Sequence, residues 1–212
     1  MWELVKAGGW LMLPLVLCSI FTVAITVERF IRLKKTMILP KALLLNQTQN
    51  ADVVMQQLQQ DKVLQSSTLG RIFTAGYQSK TKNEQYTRAQ MESTASQEIG
   101  YLEKNINFLG TLSAVAPLLG LLGTVLGIIE SFLVIDLGTN SNPTLMIPGI
   151  SKALITTAAG MFIAIPALFA YRYFQRLVQE YIAELEQQST LFHAALFYQN
   201  STIEEQDMKK VG

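Results

Sequence analysis

The sequence predicts an all-α membrane protein with three transmembrane helices, and three observations carry that prediction. Half of the 212 residues are hydrophobic and only 16% are charged, where a soluble domain is nearer a quarter charged. Mean hydropathy is positive, at +0.26. The apolar residues also gather into three stretches free of charged side chains, Trp10 to Val27, Ile106 to Ile129 and Ala153 to Tyr171. About 20 apolar residues in a helix cross the hydrocarbon core, so each stretch is long enough to span.

The first stretch predicts transmembrane helix 1 over residues 8–28. It is not read as a cleaved leader. Glu3 and Lys6 precede it, no small-residue cleavage site follows, and it exits into Glu28, Arg29, Arg32, Lys34 and Lys35. Basic residues after an apolar core mark a retained anchor with that end inside. Cys18, the single cysteine, can form no intrachain disulfide and reads as a small packing or lipid-facing residue.

Residues 29–84 read as a loop. Leu39 to Lys82 is rich in Gln, Ser and Thr, with short helical patches such as Val53, Val54 and Leu58, and is not expected to form an independent domain. From Gln85 the pattern sharpens: Ala89, Glu92, Ala95, Ile99, Leu102 and Ile106 recur at spacings of three and four. That predicts an amphipathic helix running unbroken into the second span, one long helix over 85–135 with its transmembrane part at about 107–130. Gly100 is expected to be a weak spot only. After a connector at 136–149, a second long helix over 150–199 holds the third span, at about 150–171. Beyond it, Phe174, Leu177, Val178, Tyr181, Ile182, Leu185 and Phe192 make one apolar stripe opposed by Arg176, Glu180, Glu184 and Glu186. Both extensions need partners for their stripes, each other or neighbouring copies. Residues 200–212, with Glu204, Glu205 and Asp207 ahead of Lys209 and Lys210, read as a solvated tail.

Orientation follows from Lys and Arg. Eleven lie between the first two spans, none lies between Ser131 and Gly149, and Arg172, Arg176, Lys209 and Lys210 follow the third. The positive-inside rule puts the amino terminus and connector outside and the long loop and tail in the cytoplasm. A net charge of +1 gives no case for nucleic acid. The lone His193, read as part of a polar tail, has no cysteine or carboxylate cluster beside it, so no metal site is expected. No cofactor motif appears. Gly120, Gly123 and Gly127 lie mid-membrane and precede no βαβ unit, which sets aside a phosphate-cradling loop.

The second and third spans carry the informative residues. Ala116, Gly120 and Thr124 fall four apart, as do Gly123 and Gly127, and Thr156, Gly160 and Ala164 repeat the spacing. Small residues at that spacing let helix backbones approach closely within lipid. Pro117 and Pro166 each remove a backbone hydrogen bond inside a span, a loss that a bundle can make good. Thr124, Thr156 and Thr157 lie deep in the spans. Taken one at a time, such hydroxyls usually bond the carbonyl one turn back and serve as packing; the functional alternative is a polar lining for a proton path or a partner helix. No Asp, Glu or His lies within either span away from its ends, where Glu130 and Lys152 stand. A proton path normally needs a titratable group near mid-depth, so a partner has to bring the carboxyl.

Pro117-Leu118-Leu119-Gly120-Leu121-Leu122-Gly123-Thr124-Val125-Leu126-Gly127-Ile128 resembles the second-span signature of the ExbB/TolQ/MotA proton-channel family. Gly149-Ile150-Ser151-Lys152-Ala153-Leu154-Ile155-Thr156-Thr157-Ala158-Ala159-Gly160-Met161, followed by Ala164-Ile165-Pro166-Ala167, is similar to its third-span signature. The resemblance implies a homopentameric ring in the bacterial inner membrane, not an enzyme, with spans two and three lining a central pore. It implies an ExbD-like or TolR-like single-span partner whose aspartate carries the proton, and onward coupling to a TonB-like or TolA-like protein. Thr124 and Thr157 match the family's pore-facing threonines. MotA-like members have a fourth span, which three spans do not fit; ExbB-like is the expected type, TolQ-like the alternative, and a non-conducting scaffold the third. One departure stands out: many members carry glutamate where this chain has Lys152. A lysine there can repel a cation, pair with a partner's acid or snorkel to headgroups, and snorkelling is the expectation.

Overall fold

The computed structural model describes residues 9–45, 50–136 and 143–198. The expected tail at 200–212 and residues 137–142 of the expected connector lie outside the described residues. Among those residues the secondary structure is helical throughout, with no strand. In chain order the helices are α1 (Met12–Arg32), α2 (Lys35–Ile38), α3 (Ala51–Gln60), α4 (Lys62–Ser66), α5 (Thr68–Ser79), α6 (Glu84–Glu103), α7 (Ile106–Asp136) and α8 (Ile147–Phe197), with single 3₁₀ turns at Lys41–Leu43 and Pro143–Met146. Three stretches, within Met12–Arg32, Glu84–Leu133 and Thr144–Phe197, are long and apolar enough to cross a membrane. The chain forms two compact units, one drawn from Met1–Arg29 and Asn105–Gln175, the other from Phe30–Lys104 and Arg176–Gly212.

The first unit holds the spans. α1 begins beyond Gly9, which sits at φ +72 and whose carbonyl accepts from Met12 N–H at 3.1 Å. Pro14 falls in its first turn, where backbone N–H groups have no intrahelical partner to lose. Met12, Leu15, Thr22 and Ile25 are buried at helical spacing, while Leu13, Leu17, Ile20, Phe21, Val23 and Val27 are exposed. An outward band so apolar fits lipid. Thr22 and Thr26 close their hydroxyls onto Cys18 O at 2.8 Å and Thr22 O at 2.6 Å, so both are satisfied within the helix. Phe21 meets Phe108 of α7 edge-to-face, with ring centroids 6.2 Å apart.

The expected single helix over 85–135 is two helices. The helix passes through Gly100 unbroken but ends at Glu103 and restarts at Ile106, with Lys104 and Asn105 between them and Asn105 at φ +64. Asn tolerates this left-handed region better than most residues, and its Nδ2 donates to the Glu28 carboxylate at 2.9 Å. No Gly or Pro marks the break, which is why the sequence pattern ran across it.

Residues 39–82, expected as a loop with short helical patches, form short helices packed within the second unit. α3, α4 and α5 follow one another there, each started by a side-chain cap: Asn50 accepts from Asp52 N–H, Asp61 from Val63 N–H and Ser67 from Gly70 N–H. Such caps satisfy donors that the first helical turn leaves open. Leu43, Val54, Met55, Leu58, Leu69, Ile72 and Phe73 are buried. α5 and α6 form an antiparallel hairpin: Thr87 donates to Ser79 O at 2.9 Å, Gly76 lies against the Met91 side chain and Arg71 pairs with Glu98 at 2.8 Å. The buried face of α6 therefore runs through Thr87 and Met91, and the expected stripe residues Ala89 and Glu92 are exposed. On α8, Val178, Tyr181, Leu185 and Phe192 are buried as their spacing predicted. Phe192 stacks on Phe73 at 4.1 Å, and the Tyr181 hydroxyl donates to Leu33 O at 3.0 Å. Lys35 reaches Glu184 at 2.6 Å, a hydrogen bond that raises the lysine above its ordinary pKa. His193 lies within α8, not in a tail; its Nε2 is buried and its ring is 5.1 Å from Phe197.

Candidate functional site

The site lies where α7 and α8 run antiparallel in the first unit, and its geometry follows from the small residues. A β-carbon on Gly160 would stand 2.6 Å from Ala116 O and 3.0 Å from Gly120 Cα. One on Gly120 would stand 3.1 Å from Thr156 O, and one on Gly127 2.8 Å from Ala153 Cβ. Gly123 receives the Thr156 side chain and Gly149 receives Ser131. Ala116, Ser131, Ala153 and Thr156 are all buried along this seam. The backbones come close along the seam because each side chain there, none larger than threonine, faces a glycine or another small residue, the association device that lipid leaves available. Both helices continue through Pro117 and Pro166.

The seam extends further than the spacing of the predicted packing residues. Ser131 continues the four-residue ladder of Gly123 and Gly127, and its hydroxyl donates to Gly127 O at 2.8 Å and to Met146 O at 3.3 Å. Gly149 is its opposite number. At the other end Gly110 lies 2.9 Å, by its missing β-carbon, from the Tyr171 ring. Extending the Gly123–Gly127 ladder one turn would have found Ser131; nothing short of the pairing itself points to Gly149 or Gly110.

The three threonines separate. Thr156 is 1% exposed and donates to Ala153 O at 2.8 Å and Lys152 O at 3.3 Å. It faces the helix contact and lines no open face of this chain. Thr124 and Thr157 are half-buried and meet through their hydroxyls. Thr124 donates to Gly120 O at 3.3 Å, within its own helix. Thr157 is the exception to the one-turn-back rule: its hydroxyl crosses to the same Gly120 carbonyl on the other helix, at 2.9 Å. Two hydroxyls and one carbonyl thus form a polar cluster with exposed Leu121, Ile128, Leu154 and Met161 on the turns either side. Hydroxyls can donate, accept and relay, but they do not titrate in the working range of a cell.

Six residues along α7, Glu130 meets Lys152 of α8 at 2.8 Å. An acid of its own chain thus holds Lys152. The lysine stem also lies against Gly9, where a β-carbon would overlap Cε and stand 2.9 Å from Nζ.

Comparison with known proteins places this geometry. Residues 64–187 match the model of the MotA/TolQ/ExbB proton channel family. The biopolymer transport protein ExbB-like 1 of Synechocystis is 35% identical over 137 residues, 62% of this chain and 54% of that protein. The Tol-Pal system protein TolQ of Haemophilus influenzae is 36% identical over 115 residues, 52% of this chain and 50% of that protein. The ExbB-like 3 protein of Synechocystis is 30% identical over 190 residues, 86% of this chain and 89% of its own length. The chain spans about half the length of the first two. With three helices long and apolar enough to cross a membrane and a family match over residues 64–187, this protein belongs to the MotA/TolQ/ExbB proton channel family.

Proposed function

We propose that the chain is the fixed, oligomeric subunit of a proton-motive-force-driven motor in the bacterial inner membrane, with its amino terminus in the periplasm and its carboxyl terminus in the cytoplasm. The observation that carries this reading is the Thr124–Thr157 cluster. It sets hydroxyls on the exposed side of a tightly packed helix pair, among apolar side chains, in spans that hold no titratable group at that depth. Such a surface can shape a proton path and cannot store the proton. The carboxyl then comes from an ExbD-like or TolR-like single-span subunit held within a ring, taken as a pentamer, of copies of this chain. The work passes to a TonB-like protein that energises outer-membrane transport. Similarity to ExbB-like proteins over 86% of the chain favours that system, while the TolQ relative keeps Tol-Pal envelope maintenance as a second reading.

The deciding experiment is affinity purification from native membranes with identification of the co-purifying small proteins, followed by proton-flux measurement on the reconstituted complex. Recovery of a single-span protein with one intramembrane aspartate, and flux that needs it, supports the motor, and its identity chooses between uptake and envelope maintenance. Recovery of this chain alone in gentle detergent, without flux, makes the protein a scaffold and the threonines packing.

A further inference from the structure

The pairing of Glu130 with Lys152 is more than a clamp. The side chains keep 58% and 33% of their surface exposed, and ion pairs so open to water add little to stability. The pair stands six residues along α7 from Thr124 and five along α8 from Thr157, a rise of roughly 8–9 Å from the hydroxyl cluster. At that distance, beside a low-dielectric seam, one uncompensated charge matters to any cation approaching the cluster. Its surroundings also hold the lysine in one place. The stem fills the space over Gly9, whose left-handed φ of +72 suits glycine and whose missing β-carbon gives Cε its room.

We infer that Glu130 and Lys152 form a charge-compensated cap over the connector end of the α7–α8 seam, and that Glu130 permits cation access to the threonine cluster by neutralising Lys152. The inference rests on the channel reading above. Lys152 alone would post a fixed positive charge at the entrance. Glu130 cancels that charge across a 2.8 Å ion pair. Gly9 keeps the ammonium turned toward its partner.

The test uses the intact complex, with its single-span partner, in proteoliposomes loaded with a pH-sensitive dye. Glu130→Gln leaves the lysine uncompensated and is expected to slow proton uptake on the order of tenfold. The double variant Glu130→Gln with Lys152→Gln removes both charges and is expected to return to about twofold of the parent rate or better. Exchange of the pair, Glu130→Lys with Lys152→Glu, is expected to do the same. Parent-level uptake by Glu130→Gln, or a double variant as slow as Glu130→Gln, overturns the inference. Should Glu130→Gln fail to assemble, Lys152→Gln decides alone: it leaves only a carboxylate and should hold or raise uptake, so a tenfold fall overturns the cap. A parent complex that moves no protons overturns the channel reading itself, a result distinct from any difference among variants.

Discussion

Gly123 on α7 lies against the side chain of Thr156 on α8, so closely that a β-carbon there would overlap the threonine hydroxyl. The same closeness recurs at Gly160, where the neighbours are the Ala116 carbonyl and the Gly120 Cα. Those are backbone atoms, which cannot rotate aside. Gly160→Ala must therefore push the helices apart, and overpacking of this kind costs about 1–3 kcal/mol. A Gly100→Ala variant is the control. It has nothing within 4 Å and sits inside α6, so it should gain about 0.5–1 kcal/mol from helix propensity. Thermal unfolding of the two variants in detergent should move in opposite directions. Equal shifts would mean that the seam is loose enough to take a methyl group.

The threonines give a sharper contrast. Thr156→Val removes a hydroxyl that is already satisfied within its own helix, so proton flux should stay within about twofold of the parent. Thr157→Val keeps the shape but removes the donor that bridges to Gly120 O and meets Thr124. Loss of one such hydrogen bond from a path is worth about 1.4 kcal/mol, a fall of roughly tenfold in flux. Oligomer size by native mass spectrometry should be unchanged in both. Equal flux in the two valine variants would remove Thr157 from the path.

Much of this site was legible because its determinants are local. The four-residue spacing of Ala116, Gly120 and Thr124, and of Thr156, Gly160 and Ala164, announced a close helix contact before any pairing was known, and the charge-free stretches announced the spans. What was not legible depends on partners far away in sequence. Thr156 and Thr157 are adjacent and chemically identical, and only the crossing of α7 over α8 decides which hydroxyl faces inward. Glu130 and Lys152 are 22 residues apart, and neither shows in sequence that it will meet the other. The fold of residues 51–79 was missed for a related reason. Its apolar residues are few, short helices carry weak periodicity, and the core they form is completed by Phe192 from the far end of the chain.

Phe73 and Phe192 stack with rings 4.1 Å apart and 8° from parallel, and both are fully buried. Truncating either to alanine should destabilise the protein by about 3–5 kcal/mol. The double variant should fall short of the sum by about 0.5–1.5 kcal/mol, the aromatic coupling beyond area alone. Hydrogen exchange is the suitable readout, since protection should drop across α5 and α8 beyond Val178 while the Gly120–Gly160 contact keeps its own. Uniform loss across all helices would mean that the second unit has no stability of its own to lose.

Asn105 is the break that no glycine or proline announced, and its two features predict different variants. Its φ of +64 costs an ordinary L-residue roughly 1–2 kcal/mol. Its amide also supplies a donor to Glu28 at 2.9 Å, close to the Arg29 guanidinium, which lies 3.8 Å from the same carboxylate. Asn105→Gly keeps the backbone and loses only the donor, so the cost should be about 0.5–1.5 kcal/mol. Asn105→Ala loses the donor and strains the backbone, so it should cost roughly 1–2 kcal/mol more than glycine does. The order glycine above alanine, measured by thermal unfolding, follows from the left-handed turn. The reverse order would mean that α6 and α7 prefer to join as one helix once the asparagine is gone, and that the Glu28 contact, not the backbone, is what holds the break.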